Sequence, residues 1–226
     1  MSAADLRRIY PVVLAAGRSA RMGQPKLLLE IEGKRVIALV AEACFGSMTG
    51  PPIIVLGHEA DRLRAELPEQ GLTTVIHEHY DLGMTSSLQA GLHALPEDAL
   101  AFFLFPADFP LVTAADLRAL AHAFLERTTP AKTIFMPVYR GRRGHPVLVD
   151  VALKDEFLSL SEEQTVRSRI YADAARVQAV EVQNRGVLMD LDTPADLAEC
   201  RKEFRRQRGY TTRAVARHPP PDESSS

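Results

Sequence analysis

Cysteine is nearly absent from this chain. Cys44 and Cys200 are the two in 226 residues, and they stand far apart, outside any metal-ligand spacing. That usage fits a reducing, cytoplasmic setting. Net charge is also scarce, at -2, so there is no bulk drive toward nucleic acid. No long apolar stretch follows Met1 to Arg8, and neither a signal peptide nor a membrane span is expected. There is no internal repeat. Two familiar phosphate-binding patterns are missing as well. Lys26 follows Pro25 and precedes Leu27, which excludes G-x-x-x-x-G-K-[ST]; Gly17 and Gly23 stand alone, which excludes G-x-G-x-x-G.

What is present is enough hydrophobic residue, 46% of the chain, for one sizeable α/β core and too little length for two comfortable domains. Charge is uneven along the chain. Residues 201–226 carry seven Lys/Arg against three Asp/Glu, which leaves a mildly acidic body and a basic end. Apolar periodicity fades after Phe204, and the chain finishes in Pro219-Pro-Pro-Asp-Glu-Ser-Ser-Ser226. A single domain over 1–205 and a disordered basic, Pro/Ser-rich tail over 206–226 are therefore expected.

The rest of the chain is organised around residues 14–26. Ile9-Tyr-Pro-Val-Val-Leu14 is a β-branched, apolar run that reads as a buried parallel strand. Ala15, Ala16 and Gly17 then keep side chains out of the way, so a ligand can approach the backbone. Arg18, Arg21 and Lys26 bring three cations to the same loop, two of them able to grip phosphate bidentately. An apolar strand, a small-residue loop and regularly spaced bases make a polyphosphate cradle.

At Leu14-Ala-Ala-Gly-Arg-Ser-Ala-Arg-Met-Gly-Gln-Pro-Lys26 the chain resembles the nucleotidyltransferases whose first strand carries L-A-[AG]-G-x-S-x-R-M-G-x-x-K. Within that superfamily it is most similar to the molybdenum cofactor cytidylyltransferase group. The resemblance implies a single-domain, Rossmann-like, three-layer α/β/α nucleotidyltransferase fold with a mostly parallel sheet.

Downstream, strands and helices alternate. Helices are expected over Val36 to Phe45, Ala60 to Leu67 and Thr113 to Glu126, the last opened by a Thr113/Asp116 capping box. Strands are expected at 51–57, 73–76, 99–105, 133–138 and 177–182, with 99–105 central and 177–182 at an edge. Residues 151–174 read as helical, with Leu158, Leu160, Val166 and Ile170 facing inward. Such a sheet binds ligands at the carboxyl ends of its strands.

Several loops carry candidate chemistry. His77 and His79 share a face, but no third metal ligand lies nearby, so they are left to solvent or hydrogen bonds. Gly83 permits a tight turn, and Thr85 or Ser86 is a candidate cap for the helix toward Leu95. That helix start is also a place to hold an anion or a ribose, with Ser86 and Ser87 as contacts. The segment is similar to the family's G-[MW]-x-x-S-[LI]-x-x-G element, whose turn contacts base and sugar. Asp108 follows the most hydrophobic strand, between Pro106 and Pro110, where a carboxylate is well placed for Mg²⁺. The family has an acidic residue in a [GP]-x-D-x-P loop there; the cytidylyltransferase group often has Gly-Asp-Gln-Pro, and this chain has Ala107-Asp-Phe-Pro. Arg140, Arg142 and Arg143 form a basic hairpin tip. Gly144-His145-Pro146 matches the family's G-H-P element near the acceptor side, as either a substrate contact or a structural turn. Asp190 and Asp192 share a face before Thr193-Pro194 opens the last helix. Resemblance to D-[IL]-D-T-P-x-D-L implies a second metal-ligand segment here, with Asp192 favoured and Asp190 the alternative.

Together these parts point to Mg²⁺-dependent nucleotidyl transfer: Asp108 and Asp192 on the metal, Lys26 at the α-phosphate, Arg18 and Arg21 on the leaving phosphates. Ala16 stands where guanylyl-transferring relatives have a second Gly, and Pro25 where they tend to have Asp. Both favour CTP over GTP. The resemblance implies molybdopterin-bound molybdenum as the phosphorylated acceptor, and a molybdoenzyme apoprotein as a further partner. The other readings are a sugar or alditol phosphate acceptor, or a non-catalytic module that binds nucleotide or cofactor during molybdoenzyme maturation. Neither nucleic acid nor membrane enters any of them.

Overall fold

The computed structural model describes residues 2–18, 22–161 and 164–209. Arg21, and the part of the expected tail from 210 onward, lie outside the described residues. A capped turn of helix α1 (Ala3–Leu6) leads into β1 (Ile9–Ala15). A short hairpin of β2 (Glu30–Ile31) and β3 (Lys34–Arg35) precedes α2 (Val36–Gly46). Then come β4 (Ile53–Leu56), α3 (Ala60–Ala65), β5 (Thr73–Ile76), α4 (Met84–His93) and β6 (Ala101–Pro106). The second half holds α5 (Ala114–Leu125), β7 (Ile134–Tyr139), β8 (Arg142–Arg143) and β9 (Val147–Asp150). It closes with α6 (Lys154–Leu158), α7 (Val166–Tyr171), β10 (Val177–Glu181) and α8 (Pro194–Gln207).

The sheet runs β10-β7-β9-β6-β1-β4-β5, with β8 paired to β7. β6 is its middle strand and β10 an edge, as the hydrophobic patterns predict. Pairings β6–β1–β4–β5 and β7–β10 are parallel, while β9 runs antiparallel to both β6 and β7. Alternation along β1 divides the core in two. Ile9, Val13 and Ala15 join α2, α5 and α8 on one face, while Val12 and Ala16 join α4, α6 and α7 on the other. This is the expected three-layer α/β/α arrangement. Both cysteines are buried, and desolvation raises the pKa of each thiol. No helix among the described residues is long and apolar enough to cross a membrane.

Two local expectations are corrected. Residues 151–174 are not one helix but a 3-10 turn, α6 and α7, separated by a loop. The Gln89 side chain explains the break: its amide donates to the carbonyls of Phe157, Leu158 and Leu160, at and beyond the end of α6. Thr165 then caps a fresh helix by accepting from Ser168 N. Phe157 is fully buried, whereas Leu158 and Leu160 are only partly so. The second correction concerns α4. Its cap is Gly83, and neither Thr85 nor Ser86 caps it. The Ser86 and Ser87 hydroxyls donate back to Gly83 O, and Thr85 Oγ1 donates to Gln164 O. The box at Thr113/Asp116 forms as predicted, and Thr193/Asp196 makes another with Pro194 in the first turn.

Candidate functional site

The carboxyl ends of β1 and β6 lie side by side, with Ala107 N bonded to Leu14 O at 3.1 Å. That pairing sets the loop after β1 beside the loop holding Asp108. The chain after α7 and β10 reaches the same edge. Leu191 N donates to Asp108 O at 2.8 Å, so the backbone itself fastens the last loop to the Asp108 loop. At Gly144 the fit is so close that a Cβ would lie 2.3 Å from Val187 O.

Among the described residues, this scaffold joins Lys26, Asp108 and Asp192, from distant parts of the sequence, in one ionic centre. Lys26 Nζ donates to Asp108 Oδ2 at 2.7 Å and to Asp192 Oδ1 at 2.8 Å. The side chains are 16%, 23% and 24% exposed, respectively, so the pairing is sheltered rather than a loose surface contact. Burial works against the charge on Lys26. The charge and hydrogen bond of Asp108, and those of Asp192, outweigh it and hold the ammonium pKa above its ordinary value. The second Asp108 oxygen, Oδ1, is buried and has no hydrogen-bond partner. A sheltered carboxylate with an uncommitted oxygen suits a hard divalent cation, and Asp192 brings a second carboxylate to the same ammonium. Asp190, the alternative, is exposed and does not meet Lys26.

Beside this centre is a cavity of about 190 Å³ lined by Leu14, Ala16, Gly17, Lys26, Leu27, Tyr80, Gly83, Met84, Ser87, Pro106 and Asp108. Seven of the residues singled out from sequence thus share one cavity: Leu14, Ala16, Gly17, Lys26, Gly83, Ser87 and Asp108. Gly83 has φ +102°, a turn that an L side chain rarely adopts. Ala15 is not on the cavity wall; it is 1% exposed and faces the opposite core layer. Ser86 is half-buried and does not line the cavity; its Oγ lies 3.1 Å from His77 Nε2. His77 is thereby a hydrogen-bonding residue, and burial lowers its pKa. Broader clefts of about 590 and 620 Å³ lie elsewhere, but neither includes Lys26, Asp108 or Asp192.

Tyr80 is the residue that sequence reasoning passed over. Its ring lies beneath the Arg18 guanidinium, 5.4 Å from centroid to carbon, and 6.1 Å from the His58 ring. It is seated against Gly57, where a Cβ would come within 2.7 Å of Tyr80 Cβ. The signal was present in His77-Glu-His-Tyr80, but attention to the histidines hid the aromatic.

The Gly144-His145-Pro146 turn meets Phe109, the residue after Asp108. The His145 ring packs on Phe109 at 4.9 Å between centroids, and His145 N donates to Val187 O at 2.8 Å. Its Nδ1 is buried without a partner. Burial lowers the His145 pKa; the carboxylates of Asp108 and Asp190 oppose this, and the charge of Arg167 reinforces it. The imidazole is therefore neutral at pH 7 and does not add a cation to the centre.

Comparison with known proteins shows the family. The family described as "MobA-like NTP transferase domain" matches residues 11–179. The molybdenum cofactor cytidylyltransferase of Escherichia coli K12 is 25% identical over 194 residues, which cover 85% of this chain and 95% of that protein. The bifunctional protein GlmU of Syntrophotalea carbinolica is 32% identical over 166 residues, 69% of this chain; the match spans about a third of GlmU, 35%. Among solved structures, Rv0371c of Mycobacterium tuberculosis H37Rv in complex with manganese superimposes with a TM-score of 0.69 at 26% identity, over 86% of this chain and 98% of that one. The strand-loop cradle, the Lys26-centred carboxylates and a match over most of the chain lead to one conclusion: this protein belongs to the MobA-like NTP transferase family.

Proposed function

We propose that this protein transfers CMP from CTP to a phosphorylated acceptor, the molybdenum cofactor, with release of pyrophosphate. The observation that carries the reading is Lys26, held by Asp108 and Asp192 on the wall of a cavity built from Ala16, Gly17, Gly83 and Ser87. In the reaction an oxygen of the acceptor phosphate attacks the α-phosphorus, that P–O bond forms, and the bond to the β-phosphate breaks. A phosphate monoester is already ionised at neutral pH, so no general base is required. The work left to the protein is alignment and charge neutralisation.

Lys26 would share its donors with the α-phosphate, where negative charge accumulates. Arg18, and Arg21 outside the described residues, would take the departing phosphates. The N–H groups of the first turn of α4, which no side chain caps, are available to an anion or ribose with Ser87. Asp108 and Asp192 are the residues that would hold Mg²⁺; a bound divalent ion there neutralises phosphate charge. The uncommitted Asp108 Oδ1 supports this, and a 26% identical structure is described as a manganese complex. The preference for CTP rests on Ala16, 3% exposed on the cavity wall, whose methyl narrows the space for a base. The acceptor is inferred from the likeness to the E. coli cytidylyltransferase.

The test is pyrophosphate release with Mg²⁺, purified molybdenum cofactor, and CTP or GTP in turn. Release with CTP that disappears in Asp108→Ala is expected. No release with either nucleotide, from folded protein that binds CTP, would overturn the acceptor and redirect the search to sugar or alditol phosphates.

A further inference from the structure

The region beyond His145 holds cations that the chemistry above leaves unused. Arg140, Arg142 and Arg143 sit on the β7–β8 hairpin, and Arg167 on α7; all are exposed. None makes an ion pair among the described residues. The contrast within α7 is direct. Arg169, two residues on, pairs with Glu156, which also binds Arg176. Arg167 instead meets Arg143 at one ring: their guanidinium carbons are 5.8 and 5.5 Å from the centroid of Tyr171, which is 42% exposed.

Two arginines from separate elements are thus braced on one aromatic ring. Cation–π contact restrains side chains that would otherwise sample many rotamers, so less entropy is lost when they engage a ligand. Gathering like charges with no carboxylate paired to them among the described residues is unfavourable, and an anion between them removes the repulsion. The position is also suggestive. Arg143 precedes His145 by two residues, within about 7 Å along an extended backbone. His145 in turn packs on Phe109, next to Asp108. The charge of Arg167 also acts on His145, so this arginine lies near the turn that packs beside Asp108.

We propose that Arg143 and Arg167, braced on Tyr171, form an anion subsite that takes the phosphate end of a phosphate-monoester acceptor. The inference rests on the nucleotidyl-transfer reading for the word acceptor, but not for the anion. Planar guanidinium groups match phosphate oxygens two at a time, which gives orientation as well as charge.

Phenyl phosphate is the probe, its binding measured by calorimetry with the nucleotide cavity saturated by CTP. Arg143→Glu/Arg167→Glu should weaken binding at least about tenfold, the scale of losing one charge-assisted hydrogen bond. Arg7→Glu/Lys202→Glu makes the same charge change on distant exposed positions and should stay within about twofold. Arg143→Lys/Arg167→Lys should fall between, because charge remains and the fork is lost. Equal losses in the two Glu variants, or no wild-type binding, would overturn the subsite. If these arginines bind phenyl phosphate but the wild type releases no pyrophosphate with any phosphorylated acceptor, the nucleotidyl-transfer reading fails and the anion subsite stands.

Discussion

The two sides of Asp108 manage charge in opposite ways. On the cavity side, Lys26 is sheltered and shared between two carboxylates, and the neighbouring wall mixes small residues with Leu14, Leu27, Tyr80 and Met84. On the His145 side, Arg143 and Arg167 are exposed and lean on an aromatic ring, with no ion pair among the described residues. The first arrangement fixes a position; the second leaves cations ready for a visitor. The sheet reflects the same division. Parallel β1 and β6 and the chain after parallel β5 line the cavity, while antiparallel β9 follows directly from the turn that carries His145.

The comparison is most easily broken at its fixed end. Lys26→Ala should lower the rate of pyrophosphate release by about 10²–10³-fold, or roughly 3–4 kcal/mol of barrier. A loss below tenfold would mean that the ammonium is an ion-pair strut and nothing more. Next in size is Gly144→Ala, which drives a methyl into Val187 O. It should cost about 1–3 kcal/mol of stability, read as a lower Tm, because two backbones must separate. An unchanged Tm would show that the acceptor side is looser than its hydrogen bonds suggest.

Ala16→Gly sharpens the comparison within the cavity. It should shift the GTP/CTP ratio of kcat/KM toward GTP by about 10-fold, the effect of one methyl group on a pocket. The smallest effect concerns His145. Its folded pKa lies below the usual 6.5, so the unfolded chain binds the proton more readily. Stability contributed by the neutral ring is complete above pH 6.5 and is lost as pH falls through the folded value. His145→Gln should therefore flatten the fall in Tm between pH 7 and pH 5. A parallel curve would assign that acid sensitivity to other groups.

Much of this architecture was legible from residues 9–17 and 99–108. Buried parallel strands write themselves as uninterrupted apolar runs, and loops at their carboxyl ends bring together whatever follows. Asp192 was legible only through its likeness to a motif. Nothing local distinguishes it from Asp190; the distinction comes from Lys26, 166 positions away. Thr85 and Ser86 misled because a hydroxyl at a helix start suits a cap, whereas here the carbonyls of Gln164 and Gly83 take those hydroxyls. The break between α6 and α7 depends on Gln89, a side chain from another element, and periodicity within 151–174 cannot encode it. Tyr171 is apparent only when hairpin and helix are seen together.

The long reach between Lys26 and Asp192 also bears on synthesis. A growing chain that has reached residue 150 already contains β1, β4, β5, β6 and the cavity residues Gly17, Gly83 and Asp108. It lacks Asp192 and the Leu191 N to Asp108 O bond that fastens the closing loop. A domain folds as a unit, and α6, α7 and α8 supply part of both core layers, so the ionic centre is assembled only once the whole domain has emerged. A product truncated before Asp192 would lack both the closing loop and the helix packed behind it.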